Sequence, residues 1–210
     1  MKIAVYNNKG GVGKTSLVAH IGFRAIQLKK HITILDADRQ SNTMDWLSNG
    51  QWDGNSVLEI GTVKLTTDVR ESENSDVTIT DCPPAFEVVE LYQDVDIWIV
   101  PVSGRFSVSG AMNVLDSIKK VDKQPRVVLV ANMVDARTEF GKKELEEIHK
   151  LDVELFKLPI PRHDVVGKAE MSCVPCWDIP YGIRSLTAVN LRTFADWVLS
   201  GCNDKGVYNG

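Results

Sequence analysis

The stretch Val5-Tyr6-Asn7-Asn8-Lys9-Gly10-Gly11-Val12-Gly13-Lys14-Thr15-Ser16 constrains this chain more than any other. It closes an apolar run, Ile3 to Tyr6, and opens a run with helical spacing from Thr15 to about Leu28. Strand, glycine-rich loop and helix in that order let successive backbone N–H groups turn inward beside the positive end of a helix dipole, which makes a hollow for phosphate. Lys14 is placed to reach β- and γ-phosphates, and the Thr15 hydroxyl to ligate Mg²⁺. The implied chemistry is nucleotide binding.

Composition narrows the partners. Lys and Arg number 24 against 28 Asp and Glu, a formal charge of −4, so no global basic field points to nucleic acid, and any DNA contact has to come from a local patch. With 43% hydrophobic and 25% charged residues, the 210-residue chain reads as a single globular domain spanning residues 1–210. Cys82, Cys173, Cys176 and Cys202 do not make a disulfide framework in a chain of this size, and a reducing cytoplasm fits them. Met1 lies two residues from the first strand and no apolar run approaches a bilayer span, so neither a signal peptide nor membrane insertion is expected.

Apolar runs recur at Ile3 to Tyr6, Ile32 to Leu35, Val77 to Ile79, Ile97 to Val102, Val127 to Ala131 and Val153 to Phe156. Most are continuous rather than alternating, as in parallel strands covered on both faces. Helical patterns lie between them. Leu17, Ile21, Ala25 and Leu28 form one stripe; Ser107 to Val121 and Glu139 to Leu151 form two more; and Ser185 to Leu199 should bury Leu186, Val189, Phe194, Trp197 and Val198. The expected fold is α/β, a doubly wound, mostly parallel sheet with helices on both faces. The region from Asn42 to Ser75 reads as a helix, irregular connections and another short helix, and residues 200–210 as a frayed tail.

Acidic residues stand where strands end. The second strand runs into Asp36-Ala37-Asp38-Arg39-Gln40, and the third main strand into Asp81-Cys82-Pro83-Pro84. Carboxylates at the carboxyl edge of parallel strands face the crevice where ligands bind. An aspartate at a strand end can also simply cap the next helix, but two bracketing one alanine beside a phosphate loop favour a site. Cys82 reads as a buried filler, Trp98 and Trp197 as core, and His20, His31, His149 and His163 lack ligand spacing.

The strict G-x-x-x-x-G-K-[ST] pattern fails at Asn8. What remains, Lys9 to Ser16, resembles the deviant Walker A motif K-G-G-x-G-K-[ST]-[ST] of the ParA/MinD ATPases, and the match extends over nearly the whole chain. The resemblance implies a P-loop ATPase using ATP and Mg²⁺, with Lys9, Gly10, Gly11, Val12, Gly13, Lys14, Thr15 and Ser16 as the phosphate loop. Lys9 would cross to the phosphates of a partner subunit in an ATP-sandwiched homodimer, stabilising charge as an arginine finger does. Asp36, Asp81 and Thr15 would serve the metal, and Asp38 would orient the attacking water, so Lys9, Lys14 and Asp38 carry the catalysis. Arg39 replaces the family's usual proline. Asn132 resembles the adenine-reading asparagine, with Pro161 and Arg162 beside the base; the guanine pattern N-K-x-D is absent because Met133 stands where its lysine belongs.

By the same resemblance the chain looks like the short ParA-type partition ATPases, which bind DNA nonspecifically as ATP dimers, associate with the nucleoid and partition DNA or position cargo with a ParB-like or other adaptor protein stimulating weak hydrolysis. Phosphate contacts could come from Lys119, Lys120, Lys123 and Arg126, or from Lys157, Arg162, Lys168, Arg184 and Arg192. The alternatives are a MinD-like membrane-positioning ATPase, for which the tail is short and polar, and an Mrp-like iron–sulfur scaffold. For the latter, Cys173 and Cys176 fall some forty residues beyond the usual place.

Overall fold

The computed structural model describes residues 1–73, 75–85, 88–121 and 123–208. In chain order the elements are β1 (Lys2–Val5), α1 (Lys14–Leu28), β2 (Ile32–Asp36), α2 (Asn42–Leu47), β3 (Val57–Ile60), β4 (Val63–Thr66), α3 (Val69–Ser72), β5 (Thr78–Asp81), α4 (Val88–Leu91), β6 (Ile97–Val102), α5 (Arg105–Ile118), β7 (Arg126–Ala131), α6 (Glu139–His149), β8 (Leu155–Phe156), α7 (Val165–Met171), α8 (Leu186–Leu199) and β9 (Val207–Tyr208). Among the described residues they build one nine-stranded sheet in the order β3-β4-β2-β5-β1-β6-β7-β8-β9. Strands β4 to β8 in that order pair in parallel, and an antiparallel strand closes each edge.

Successive strand residues point to opposite faces, and both faces are covered. Ile3, Val5, Ile34, Ile79 and Ile99 pack on one side with α1, α2 and α8. Ala4, Tyr6, Trp98, Val100 and Leu129 pack on the other with α4 and α5, where Tyr6 and Trp98 meet edge-on at 5.8 Å. This double cover explains why the strands read as continuous apolar runs.

Helix α1 ends where Lys29 takes a left-handed conformation, φ 53°. Its N–H reaches Ile26 O and that of Lys30 reaches Ala25 O, the paired bonds of a Schellman stop. Leu28 lies beyond the buried stripe and is 41% exposed.

Three expectations need correction. Residues 57–66 are a β-hairpin, not irregular connections: Gly61, at φ 60°, turns β3 into β4, and β4 then pairs with β2. Edge strand β3 is only half-buried, which blurs its pattern. Leu186 and Val189 are exposed, because the buried face of α8 is set by Ala188, Leu191, Phe194, Ala195 and Val198. The segment expected to fray, residues 200–208, folds back instead. Cys202 and Val207 are buried, Trp197 Nε1 donates to Asn203 O at 2.8 Å, and β9 pairs with β8. Arg126 helps hold the segment in place, donating to Cys202 O and to the exposed Asp204 carboxylate. Asn209 and Gly210 lie outside the described residues.

No helix among the described residues is long and apolar enough to cross a membrane.

Candidate nucleotide site

Strands β1, β2, β5, β6 and β7 all end at the same edge of the sheet, and the phosphate loop leaves the central one, β1. Asn7 fastens this loop from below. It is fully buried, its Nδ2 donates to Pro101 O at the end of β6 at 2.9 Å, and its Oδ1 accepts from the Lys9 N–H at 2.9 Å. Gly11 and Gly13 have φ of 74° and 88°, where side chains are strained. At Gly13 a β-carbon would also meet Asn132 Nδ2 at 2.3 Å.

Lys14, the first residue of α1, is buried and its Nζ donates to Asn7 O at 3.2 Å and Lys9 O at 3.3 Å. Burial lowers its pKa, while the carboxylates of Asp81 and Asp38 pull the other way. Lys9 is exposed at the rim.

Asp36 and Asp81 are register partners on adjacent parallel strands, so two buried carboxylates sit side by side beneath the loop. Asp36 Oδ1 accepts from the Asp38 N–H at 3.2 Å, and Oδ2 from the N–H groups of Thr43 and Met44 at 3.0 and 3.1 Å. Burial and then the neighbouring Asp81 raise Asp36 to about 7. Burial likewise raises Asp81 to about 6, against the Thr43 and Thr15 hydroxyls and Lys14. Asp81 Oδ2 accepts from Thr43 Oγ1 at 2.7 Å, and its Oδ1 is buried with no hydrogen-bond partner among the described residues.

An orphaned carboxylate oxygen beside a second carboxylate and a threonine hydroxyl is an oxygen-only donor set suited to a hard divalent cation. Among the described residues no three His, Cys, Asp or Glu side chains converge to hold a metal alone. The donors present fit Mg²⁺, which takes one or two carboxylates and completes its shell with water and substrate phosphate.

Asp38 is half-buried at a turn that needs no proline. Its Oδ1 accepts from the Gln40 N–H at 3.1 Å, its carbonyl from the Ser41 N–H at 3.0 Å, and Arg39 is exposed. Across the loop, a cleft of about 310 Å³ is lined by Gly11, Ser16, Asn132, Met133, Pro161 and Arg162 among others. Asn132 is buried there, and one of its N–H groups donates to Val12 O at 2.7 Å, tying the end of β7 to the phosphate loop. Thr187 donates to Pro161 O at 2.9 Å, and Arg162 reaches Met133 Sδ at 3.6 Å. Asp135 is turned to Arg137 instead.

Behind the loop, His20 of α1 is fully buried. Its Nδ1 lies 2.6 Å from Ser16 O, and Nε2 accepts from the Cys176 N–H at 3.1 Å, which makes Nδ1 the protonated nitrogen. Trp46 and Trp177 meet its ring edge-on, each at 5.4 Å, and Trp46 Nε1 donates to Val174 O at 3.2 Å. Cys176 is buried in this cluster, and burial raises its thiol to about 12, so it packs there as a protonated thiol.

The structure therefore gathers Lys14, Thr15, Asp36, Asp38 and Asp81 in one crevice, with Asn132, Pro161 and Arg162 beside it. It does not bring Lys119, Lys120, Lys123 and Arg126 near: they lie at the opposite edge, where α5 ends and β7 begins, and Lys123 and Arg126 are paired with Asp96 and Glu154. Arg184 and Arg192 are exposed and make no ion pair among the described residues. Sequence reasoning missed Asn7 and Thr43. Asn7 could have been noticed as an amide directly behind a buried strand; Thr43, seven residues beyond Asp36, carries no local signal.

Comparison with known proteins agrees with this geometry. Residues 3–175 match the family described as the CobQ/CobB/MinD/ParA nucleotide binding domain. The chain is similar to the maintenance of carboxysome distribution protein A of Halothiobacillus neapolitanus, 23% identical over 199 residues, covering 90% of this chain and 91% of that protein. It is also similar to the sporulation initiation inhibitor protein Soj of Bacillus subtilis, 26% identical over 218 residues, covering 80% and 86%. Among solved structures, cobyrinic acid a,c-diamide synthase from Mycobacterium smegmatis with bound ADP and magnesium shares the fold, with a TM-score of 0.70, 18% identity and coverage of 100% and 98%.

Proposed function

The chain belongs to the CobQ/CobB/MinD/ParA nucleotide-binding family, and on that footing we propose that it is a ParA-type ATPase that dimerises on ATP and positions DNA or another cargo. One observation carries the reading: a buried lysine ammonium and two register-paired carboxylates, one with an orphaned oxygen, converge beneath a glycine loop at the carboxyl edge of the sheet.

In this reading the backbone N–H groups from Gly10 to Ser16 hold the phosphates and Lys14 exchanges its loop carbonyls for phosphate oxygens. Thr15 and Asp81 hold Mg²⁺, with Asp36 behind them. Bound there, the metal neutralises charge on the phosphate oxygens. Asp38 orients water, and Lys9, at the rim, reaches a second subunit's nucleotide. Asn132, Pro161 and Arg162 receive the base. Hydrolysis is weak until an adaptor protein completes the site.

Support for positioning comes from the relatives, one named for carboxysome distribution and one for control of sporulation. Support for nonspecific DNA binding comes from Arg184 and Arg192, whose charges are exposed and unpaired among the described residues, in contrast to the engaged Lys123 and Arg126. The test is binding to arbitrary duplex DNA with ATP, with ADP and without nucleotide. An ATP-dependent shift that weakens steeply with salt supports the reading; none at low salt removes DNA from it and leaves cargo positioning through protein contacts.

A further inference from the structure

Thr43 touches both carboxylates of the crevice with different parts of itself. Its N–H donates to Asp36 Oδ2 at 3.0 Å and its hydroxyl to Asp81 Oδ2 at 2.7 Å, and the residue is wholly buried. Two like charges side by side on neighbouring strands repel and would turn apart if left alone. A donor to one oxygen of each removes that freedom. Because Thr43 Oγ1 occupies Asp81 Oδ2, the oxygen left without a partner is Oδ1.

The holder is itself held. Thr43 is in the first turn of α2, where Ser41 provides no side-chain cap; the N–H groups of Thr43 and Met44 are satisfied by Asp36 instead. Met44 is buried in the core, and Trp46 is bonded to Val174 and packed on His20. The hydroxyl thus hangs from a fixed support.

We propose that Thr43 is a positioning residue for the divalent cation, its hydroxyl setting the Asp81 carboxylate so that Oδ1 alone faces the metal position. The inference rests on the nucleotide-site reading above. Valine keeps the shape of threonine and removes the donor, leaving Asp81 Oδ2 buried without a partner. Serine keeps the donor.

The experiment titrates a fluorescent ADP onto wild type, Thr43→Val and Thr43→Ser, first in EDTA and then across a Mg²⁺ series, with thermal melting to confirm folding. Loss of an outer-shell partner typically weakens metal binding by about 10- to 100-fold. Thr43→Val should therefore lose about 10-fold or more in apparent Mg²⁺ affinity while its Mg²⁺-free ADP affinity stays within about twofold, and Thr43→Ser should match wild type. Unchanged Mg²⁺ affinity in the valine variant, equal loss in the serine variant, or a matching fall of ADP affinity in EDTA would each overturn the proposal. Failure of wild type to bind ADP in either condition would instead bring down the nucleotide-site reading, and this inference with it.

Discussion

Gly110 of α5 lies against Asn7 of the phosphate loop so closely that a β-carbon on the glycine would sit 2.6 Å from Asn7 Oδ1 and 2.7 Å from Asn8 Oδ1. Asn7 cannot yield cheaply, because its amide bonds to both Pro101 O and the Lys9 N–H. Gly110→Ala is expected to displace the loop, at a cost of about 1–3 kcal/mol in stability, and to weaken ATP binding. Calorimetric titration and thermal melting check the two effects separately; wild-type affinity with an unchanged melt would show that the loop absorbs the methyl group.

Lys14 and Asp38 should separate binding from turnover. Lys14→Ala removes the buried ammonium bonded to the loop carbonyls, and nucleotide binding is expected to disappear. Asp38→Ala leaves Lys14, Asp36 and Asp81 in place, so ATP-dependent dimers should still sediment while phosphate release stops. Normal hydrolysis by the Asp38 variant would remove its assigned role.

The metal-free protein should lose stability as pH rises toward neutrality. Asp36 and Asp81 are raised from 3.8 to about 7 and about 6. Their contribution to the folded state is full below 3.8 and is lost as pH climbs through the folded values. His20 behaves oppositely: lowered by burial from 6.5 to about 4, it contributes fully above 6.5, and that contribution is lost as pH falls through about 4. The two raised carboxylates outweigh the one lowered imidazole, so melting temperature in EDTA is expected to fall between about pH 4 and about pH 7 and to level off above that, and Asp36→Asn to flatten this slope. A slope unaltered in the variant would refute the assignment.

Helix α1 ends on a residue ill suited to its backbone. Lys29 holds φ 53° at a stop where glycine is unstrained. Lys29→Gly is expected to stabilise the protein by about 1 kcal/mol, read as a higher denaturant midpoint with unchanged slope.

What could be read from residues alone was whatever the chain concentrates locally. The phosphate loop, Asp36 and Asp81 each follow directly on an apolar strand, and parallel strands deliver such residues to one edge. Thr43 depends on α2 folding back over two strand ends, and Asn7 on an acceptor 94 residues away. The segment after Ser200 looked loose because its side chains are polar and exposed, yet Arg126 and Trp197 fasten its backbone through the carbonyls of Cys202 and Asn203. The β3–β4 hairpin hid because an edge strand has only one neighbour to shape its pattern.

The anchoring of Trp46 to Val174 has a mechanical corollary. With β2 fixed at Asp36 and α2 at Asn42, the residues from Ala37 to Ser41 form a leash of constant length, at most about 20 Å when taut. Whatever a ligand does at Asp38, it does by reshaping slack in that leash and not by swinging a lever arm. A spin label at Arg39 would report the change, and one on α2 would stay silent.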